Sequence, residues 1–393
     1  MCVGMGLAYL GGLSNPQPHG VRVDIVGSGT KVQVMAQTLQ DEAGDALDIR
    51  TVASRDAAVS RLQDRDVSGA FVPSAKHPEL LIAKAGSETT ANVVQKVFTQ
   101  VAAEEHRPLE VTDVVPLGEN DPTGQALFFL LVAVSIGSYA SVAVIGGAGA
   151  VLATWIRALI GLGTSFVVSV FGLLFAGPVF DFVDHDLAAV WALSWLYSLG
   201  IIWVGTGLHT FFKRWTTLSM TIMFVALNFT SCGGIFEPAL QPGFFGALHA
   251  FWNGAGFLEA ARNAVYFDGL DVGGYVLRLA LWVVAGAVLL IAAYAFERRG
   301  KRSAAATPQP AAAELARVDG PVSSAAPTPS TAPAQAVPAA QRAAHPSGVQ
   351  RLSPQAAAAT GWSHAYYHGD PNHGDPNHGD RKLEEELEEN TPA

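Results

Sequence analysis

Ala126-Leu127-Phe128-Phe129-Leu130-Leu131-Val132-Ala133-Val134-Ser135-Ile136-Gly137-Ser138-Tyr139-Ala140-Ser141-Val142-Ala143-Val144-Ile145 opens a nearly unbroken apolar block that continues to Phe296. The run carries no charge and matches the length of about 20 residues that a helix needs to cross a bilayer. The candidate crossings in the block are Ala126–Leu152, Leu159–Val179, Leu187–Phe211, Leu218–Ile235 and Tyr275–Phe296. Upstream lies a polar segment of domain size, Val21–Gly124, and before it a short apolar stretch, Met1–Leu13. From Ser303 onward the composition shifts to Ala, Pro, Ser and Thr. This order predicts a multi-pass α-helical membrane protein with a folded domain inserted after its first crossing.

Met1–Leu13 is too short, at about 1.5 Å per residue, to span a core of about 30 Å. It has no basic start and no clear small-x-small cleavage site, so it does not read as a signal peptide. It reads as the outer part of a first crossing that begins before Met1, as a misassigned start codon would leave it. The predicted organisation is six crossings with the first truncated (1–14) and an extracytoplasmic α/β domain (20–124). A five-helix membrane region (125–297) follows, with an outer re-entrant segment near 236–270, and then a disordered cytoplasmic tail (298–393).

Half of the residues are hydrophobic and 15% are charged, with mean hydropathy +0.28. Soluble domains carry about 25% charged residues, so the deficit points to a membrane. The net charge of −10 comes largely from the insert and from Glu384-Glu385-Glu386-Leu387-Glu388-Glu389. No basic face suggests nucleic acid. Cys2 and Cys232 lie in separate apolar stretches, so no structural disulfide is expected. Neither has a Cys or His at metal-ligand spacing, and no cofactor is expected.

Lys and Arg in short loops set orientation. Arg157, Lys213-Arg214 and Glu297-Arg298-Arg299-Gly300-Lys301-Arg302 all fall on one side if the helices alternate, and that side is cytoplasmic. Asp181-Phe182-Val183-Asp184-His185-Asp186 faces the other way and has no Lys or Arg. Its acids and His185 could bind a cation, although a plain polar turn is the simpler reading. Trp155, Trp191, Trp195 and Trp215 lie near helix ends, where interfacial aromatics collect. Glycines from Gly137 to Gly163 fit close helix packing.

The insert alternates strand-like and helix-like runs. Strands are predicted at Val21–Val26, Leu47–Val52, Gly69–Val72, Glu79–Lys84 and Leu109–Val115. Helices are predicted at Thr30–Glu42, at Ser54–Asp64 with Ser54 as N-cap, and at Ser87–Glu105. The last places Val94, Val97, Phe98 and Val101 on one face. The order is β-α-β-α-β-β-α-β, a small α/β domain. Gly27-Ser28-Gly29-Thr30-Lys31 sits where a phosphate loop would, but it lacks the Walker A spacing, and Val32 stands where a dinucleotide loop has its third glycine. It reads as a strand-to-helix turn. Asp56, Asp64 and Asp66, interleaved with Arg55, Arg61 and Arg65, read as a solvated helix face.

Several stretches resemble one family. Arg61-Leu62-Gln63-Asp64-Arg65-Asp66-Val67-Ser68-Gly69-Ala70-Phe71-Val72-Pro73 is similar to a passage in the outer domains of ABC-2-type transporter permeases. Thr112-Asp113-Val114-Val115-Pro116-Leu117 with Asp121-Pro122-Thr123-Gly124 resembles the approach to the second crossing in the YhgE/Pip-like (phage infection protein-like) branch. Tyr9-Leu10 with Asn15-Pro16-Gln17-Pro18-His19 resembles the exit of its first crossing. Arg262-Asn263-Ala264-Val265-Tyr266-Phe267-Asp268-Gly269 resembles its outer segment before the last crossing. The resemblance covers Met1 to about Arg302. It implies a permease-like subunit of the plasma membrane that exports a hydrophobic or amphipathic compound, paired as a homodimer or heterodimer, with ATP hydrolysis in a separate ATPase subunit. The chain has no Walker A and departs from the family in lacking the amphipathic helix before the first crossing. Its inner loops, Thr154–Ala158 and Lys213–Thr216, offer little docking surface for an ATPase. The branch name also fits a non-transporting cell-surface receptor or scaffold acting through its outer domain.

Candidate gate or pathway residues are Glu237, Pro238, Glu259, Arg262, His209 and Asn228. Phe236-Glu237-Pro238 and Gln241-Pro242-Gly243 interrupt an apolar stretch, as broken helix at membrane depth would. Leu248–Val265 reads as an amphipathic helix at the outer surface with an i,i+3 pair of Glu259 and Arg262. This segment reads as an outer gate or as a re-entrant cap. His209 and Asn228 are polar within crossings; His209 could simply sit at the inner interface, and Asn228 could bond a neighbouring helix. No catalytic constellation is present, so the chain is not expected to be an enzyme. The tail repeats His368-Gly369-Asp370-Pro371-Asn372 at His373-Gly374-Asp375-Pro376-Asn377, which reads as slippage of a DNA repeat rather than a metal site. Arg381–Glu389 reads as a short acidic helix.

Overall fold

Val21, Val23 and Ile25 alternate along the first strand of the insert and are all buried, because alternate side chains of a strand share one face. In the computed structural model, which describes residues 2–104 and 106–306, this strand is β1 (Val21–Val26). It is followed by α2 (Thr30–Ala43), β2 (Leu47–Val52), α3 (Arg55–Gln63), β3 (Gly69–Val72), β4 (Glu79–Ile82), α4 (Glu88–Glu104) and β5 (Glu110–Asp113); α1 (Cys2–Leu13) precedes it. The sheet order is β2-β1-β3-β4-β5. All pairs are parallel except β3–β4, and Val23 lies opposite Ile49 and Gly69. The β1 residues share a core with Ala36 of α2 and Ala91, Val94 and Phe98 of α4. Phe98 stacks on Phe71 with ring centres 5.0 Å apart. Ala58 and Leu62 of α3 cover the opposite face with Ala70 and Leu81. Ser54 caps α3 as predicted, its Oγ accepting from the Ala57 amide at 3.2 Å. Gly27 takes φ +132° in the strand-to-helix turn before α2.

One member of the first core comes from far along the chain. Leu240, 1% exposed, lies among Val21, Phe98 and Ile25, with Phe236 and Ala239 packed beside it. Pro238–Leu240 forms a single 3-10 turn, and the His19 amide donates to the Ala239 carbonyl at 2.7 Å. The expected interruption of helix is present at this segment, and the α/β domain covers it. Pro238 supplies the turn, and the apolar side chains after it find their cover in the α/β domain.

The rest is helical. The long helices are α5 (Ala126–Gly147), α6 (Thr154–Leu174), α7 (Leu187–Phe212) and α12 (Val272–Ala306), and the short ones are α8 (Thr216–Thr221), α9 (Asn228–Ser231), α10 (Gly243–His249) and α11 (Asn253–Tyr266). Four helical stretches are long and apolar enough to cross a membrane: Ala126–Gly147, Thr154–Val179, Leu187–Ser231 and Val272–Arg302. The third folds back on itself. Lys213 takes φ +46°, a methyl on Gly205 would meet Met220 at 2.7 Å, and Asn228 bonds Tyr197. Residues 216–231 thus run antiparallel along α7. Leu277, Leu281, Val284, Val288 and Ile291 form a stripe on α12 at spacings of three and four that no protein covers, as a lipid-facing surface requires.

Two of the boundaries that differ from expectation change where charges lie. Helix α6 begins at Thr154, so Arg157 is inside a helix rather than in a loop. Helix α12 continues to Ala306, past the predicted tail start at 298, because Arg, Lys and Ala favour helix. The predicted tail disorder, the His-Gly-Asp repeat and the acidic helix lie outside the described residues.

Candidate functional site

Every residue of α11 from Asn253 to Val265 is buried. This corrects the expectation of an amphipathic helix at the surface. The helix packs against α5, α7, α9 and α12, so its charged residues must find partners inside the protein. The predicted i,i+3 pair forms, with Arg262 Nη1 2.8 Å from Glu259 Oε1. Glu259 is 4% exposed and Arg262 5%. The other carboxylate oxygen takes a partner from the α/β domain, Arg65 Nη1, at 2.6 Å.

Arg65 reaches α11 because of its backbone. It ends the turn after α3 at φ +58°, a left-handed conformation that costs a non-glycine residue about 1 kcal/mol. Its guanidinium also donates to Asn263 Oδ1 at 2.5 Å and lies over the Phe267 ring at 5.2 Å. Glu237 Oε1 is 4.0 Å away, and Glu237 Oε2 accepts from Thr90 Oγ1 of α4 at 2.8 Å. Arg262 Nη2 donates to the Gly233 carbonyl at 3.3 Å. Gly233 is required there. It adopts φ +83°, and a Cβ would approach His249 at 3.0 Å and Glu259 Oε1 at 3.3 Å. Burial by itself would raise the Glu259 carboxyl pKa, but Arg65 and then Arg262 hold it well below the usual carboxylate range. Burial lowers the His249 imidazole, whose Nδ1 lies 3.0 Å from the Ser231 carbonyl. A cavity of about 450 Å³ opens beside the cluster, bounded by Arg22, Asp64, Glu237, His249, Asp271 and Tyr275 among others.

The cluster brings together four of the six candidates, Glu237, Pro238, Glu259 and Arg262; Pro238 lines the cavity. Asn228 lies elsewhere, fully buried. Its Oδ1 accepts from the Gly254 amide at 2.8 Å and its Nδ2 donates to Tyr197 OH at 2.6 Å. Tyr197 in turn is 2.5 Å from Ser135 Oγ. Asn228 therefore satisfies the start of α11 and links helices, as the helix-bonding alternative holds. His209 sits at the opposite end of the helices, where its ring fills the space beside Gly146. At that end Arg157, 3% exposed, pairs with Glu297, and Glu297 also accepts from Thr154 at 2.7 Å.

The reading of this run as a solvated face holds for Arg55, Asp56, Asp64 and Asp66, which are exposed, and is corrected for Arg65 and in part for Arg61, which are drawn inward. Arg55 pairs with Glu79 at 2.7 Å, Arg61 with the buried Asp24 at 3.3 Å, and Arg65 with Glu259. A run of alternating charge at a helix end is compatible with either outcome until something covers it. Thr90, Asn263 and His249 were also missed, although Asn263 adjoins Arg262 within a stretch already singled out. Among the described residues no group of three His, Cys, Asp or Glu could hold a metal ion, and Asp181, Asp184, His185 and Asp186 form no such group. What the geometry can do is mechanical: it ties the α/β domain to a helix wedged among the long apolar helices. No protein-family model, curated protein or solved structure matches the chain.

Proposed function

We propose that this chain is a permease-like membrane subunit of ABC-2 exporter type, of the YhgE/Pip-like branch, that exports a hydrophobic or amphipathic compound from the plasma membrane. The observation that carries the reading is the meeting of two of the resembling stretches, 61–73 and 262–269, in one buried cluster through Arg65 and Asn263. In an exporter, such a cluster couples an outer domain to the segment that closes the pathway. On this reading α1 completes a first crossing, the folded stretch Leu187–Ser231 makes two, and the total is six. Lys213, Arg214 and the basic end of α12 mark the cytoplasmic side, and the α/β domain lies outside. Arg157 no longer counts toward that orientation, since Glu297 neutralises it. The chain itself is not an enzyme; a separate ATPase supplies energy, and two such subunits pair as a homodimer or heterodimer.

A second reading, a non-transporting receptor or scaffold acting through the outer domain, is favoured by the polar cavity beside the cluster. Accumulation of an amphipathic dye in a deletion strain separates the two. The exporter reading expects accumulation to rise on deletion, to return to normal with the wild-type gene, and to stay high with Glu259→Gln. Unchanged accumulation together with loss of a surface-binding event would overturn it in favour of the receptor.

A further inference from the structure

The helical region ends, opposite the α/β domain, in a surface of one charge sign. Exposed there are Lys213, Arg214, Arg298, Arg299, Lys301 and Arg302, while the one acid among these described ends, Glu297, is taken up by Arg157. Within that surface a pocket of about 370 Å³ opens between α5 and the turn joining α7 to α8. Lys213, Arg214 and Thr217 contribute exposed polar groups to it, Tyr139 and His209 line its side, and Met220 forms a buried apolar wall. The turn is well defined. Lys213 takes φ +46°, and its carbonyl accepts from Thr216 Oγ1 at 2.8 Å. Arg214 lies over the Trp215 ring at 5.5 Å, and that ring is itself exposed, as aromatics at a membrane interface are. Among the described residues neither Lys213 nor Arg214 has a carboxylate partner.

Two cations and a hydroxyl at the mouth of an apolar pocket, at the end of membrane-spanning helices, have the chemistry of an anionic amphiphile. We infer that this pocket binds the headgroup of an anionic phospholipid from the adjoining leaflet. The phosphodiester oxygens meet Lys213, Arg214 and the Thr217 hydroxyl, and the first acyl carbons lie against Val142 and Met220. A zwitterionic lipid brings its own ammonium to the same cations and is disfavoured. Free inorganic phosphate shares the anionic group but leaves the apolar wall uncovered. The inference rests on the membrane-spanning reading and on no particular transport activity.

Native mass spectrometry of the full chain in detergent, after incubation with phosphatidylglycerol or phosphatidylcholine, tests it. Phosphatidylglycerol is expected to be retained over phosphatidylcholine by about tenfold or more, since each Lys or Arg near the membrane surface adds several-fold to the attraction for anionic lipid. The double variant Lys213→Gln/Arg214→Gln is expected to lose that preference. Gly147→Phe should also lose it without removing a charge, because a side chain at Gly147 enters open space in the pocket. Arg298→Gln/Arg299→Gln removes equal charge outside the pocket and should keep it. Equal loss in the α12 variant, equal retention of phosphatidylcholine, or displacement of the lipid by inorganic phosphate would each overturn the inference. A chain that stays monodisperse without detergent would instead overturn the membrane reading on which it rests.

Discussion

Two ends of the helical region bury arginine beside glutamate, and they do so differently. At the domain end one carboxylate, Glu259, serves two arginines, Arg65 and Arg262, and Asn263 and Glu237 complete the set around Arg65. At the far end a single pair, Arg157 and Glu297, holds the start of α6 to the end of α12, and the Glu297 side chain is still 28% exposed. The contrast shows how far burial decides what an ion pair is worth. Where water can reach one partner, it can replace the other. Where it cannot, removing one member strands a charge in a medium that does not tolerate it.

The largest expected effect comes from Glu259→Gln, which leaves Arg65 and Arg262 buried without a carboxylate. A loss of about 3–5 kcal/mol is expected, read as hydrogen exchange and proteolysis opening at residues 61–69. An undisturbed joint would break the comparison. The wild-type joint should also respond to acid. Because the native Glu259 pKa is depressed, its contribution is complete above the unfolded carboxyl value of about 4.3 and is lost only as pH falls below that toward the native value. A joint that loosens between pH 7 and 5 would contradict this.

Leu240→Ala asks whether charge or apolar packing holds the domain. Truncating a fully buried leucine costs about 2–5 kcal/mol, so thermal unfolding in detergent should show the α/β domain weakened by a residue from outside its own stretch of chain. Glu297→Gln is expected to cost less, about 1–3 kcal/mol, the scale of one hydrogen bond to a charged group, since Arg157 keeps its bond to Thr154 at 3.2 Å and the glutamine carbonyl can still accept from it. A cost equal to that of Glu259→Gln would erase the distinction between the two ends.

The smallest effect is expected at Asp24, which is fully buried in β1, has no hydrogen-bond partner for either oxygen among the described residues, and has Arg61 at 3.3 Å. Burial raises its pKa. The native state therefore holds that proton more tightly than the unfolded chain, whose value is about 3.9. The contribution of Asp24 is complete below that value and is lost as pH rises through the native one, opposite in sign to Glu259. Asp24→Asn should stabilise the domain at neutral pH by up to about 1 kcal/mol and remove that pH dependence in urea unfolding; a loss of stability would show that the Arg61 pair outweighs desolvation.

Much of this molecule was legible in its residues because the signals are local. Alternation along Val21–Val26, the Ser54 cap and the spacing of Val94 and Phe98 each report what one element needs, namely a face to bury or an amide to satisfy. The uncharged runs of the helical region and the Glu259–Arg262 pair belong to the same kind, since each involves neighbours on one helix. Tertiary structure alone decided the partners. Arg65 and Asn263 meet across 198 positions, Leu240 completes a core begun at Val21, and of the charges at the end of α3 Arg65 turned inward while Asp64 and Asp66 stayed exposed. Periodicity states that a side chain needs cover or a counter-charge, but which distant segment supplies it depends on how the chain closes in three dimensions, and no local pattern encodes that.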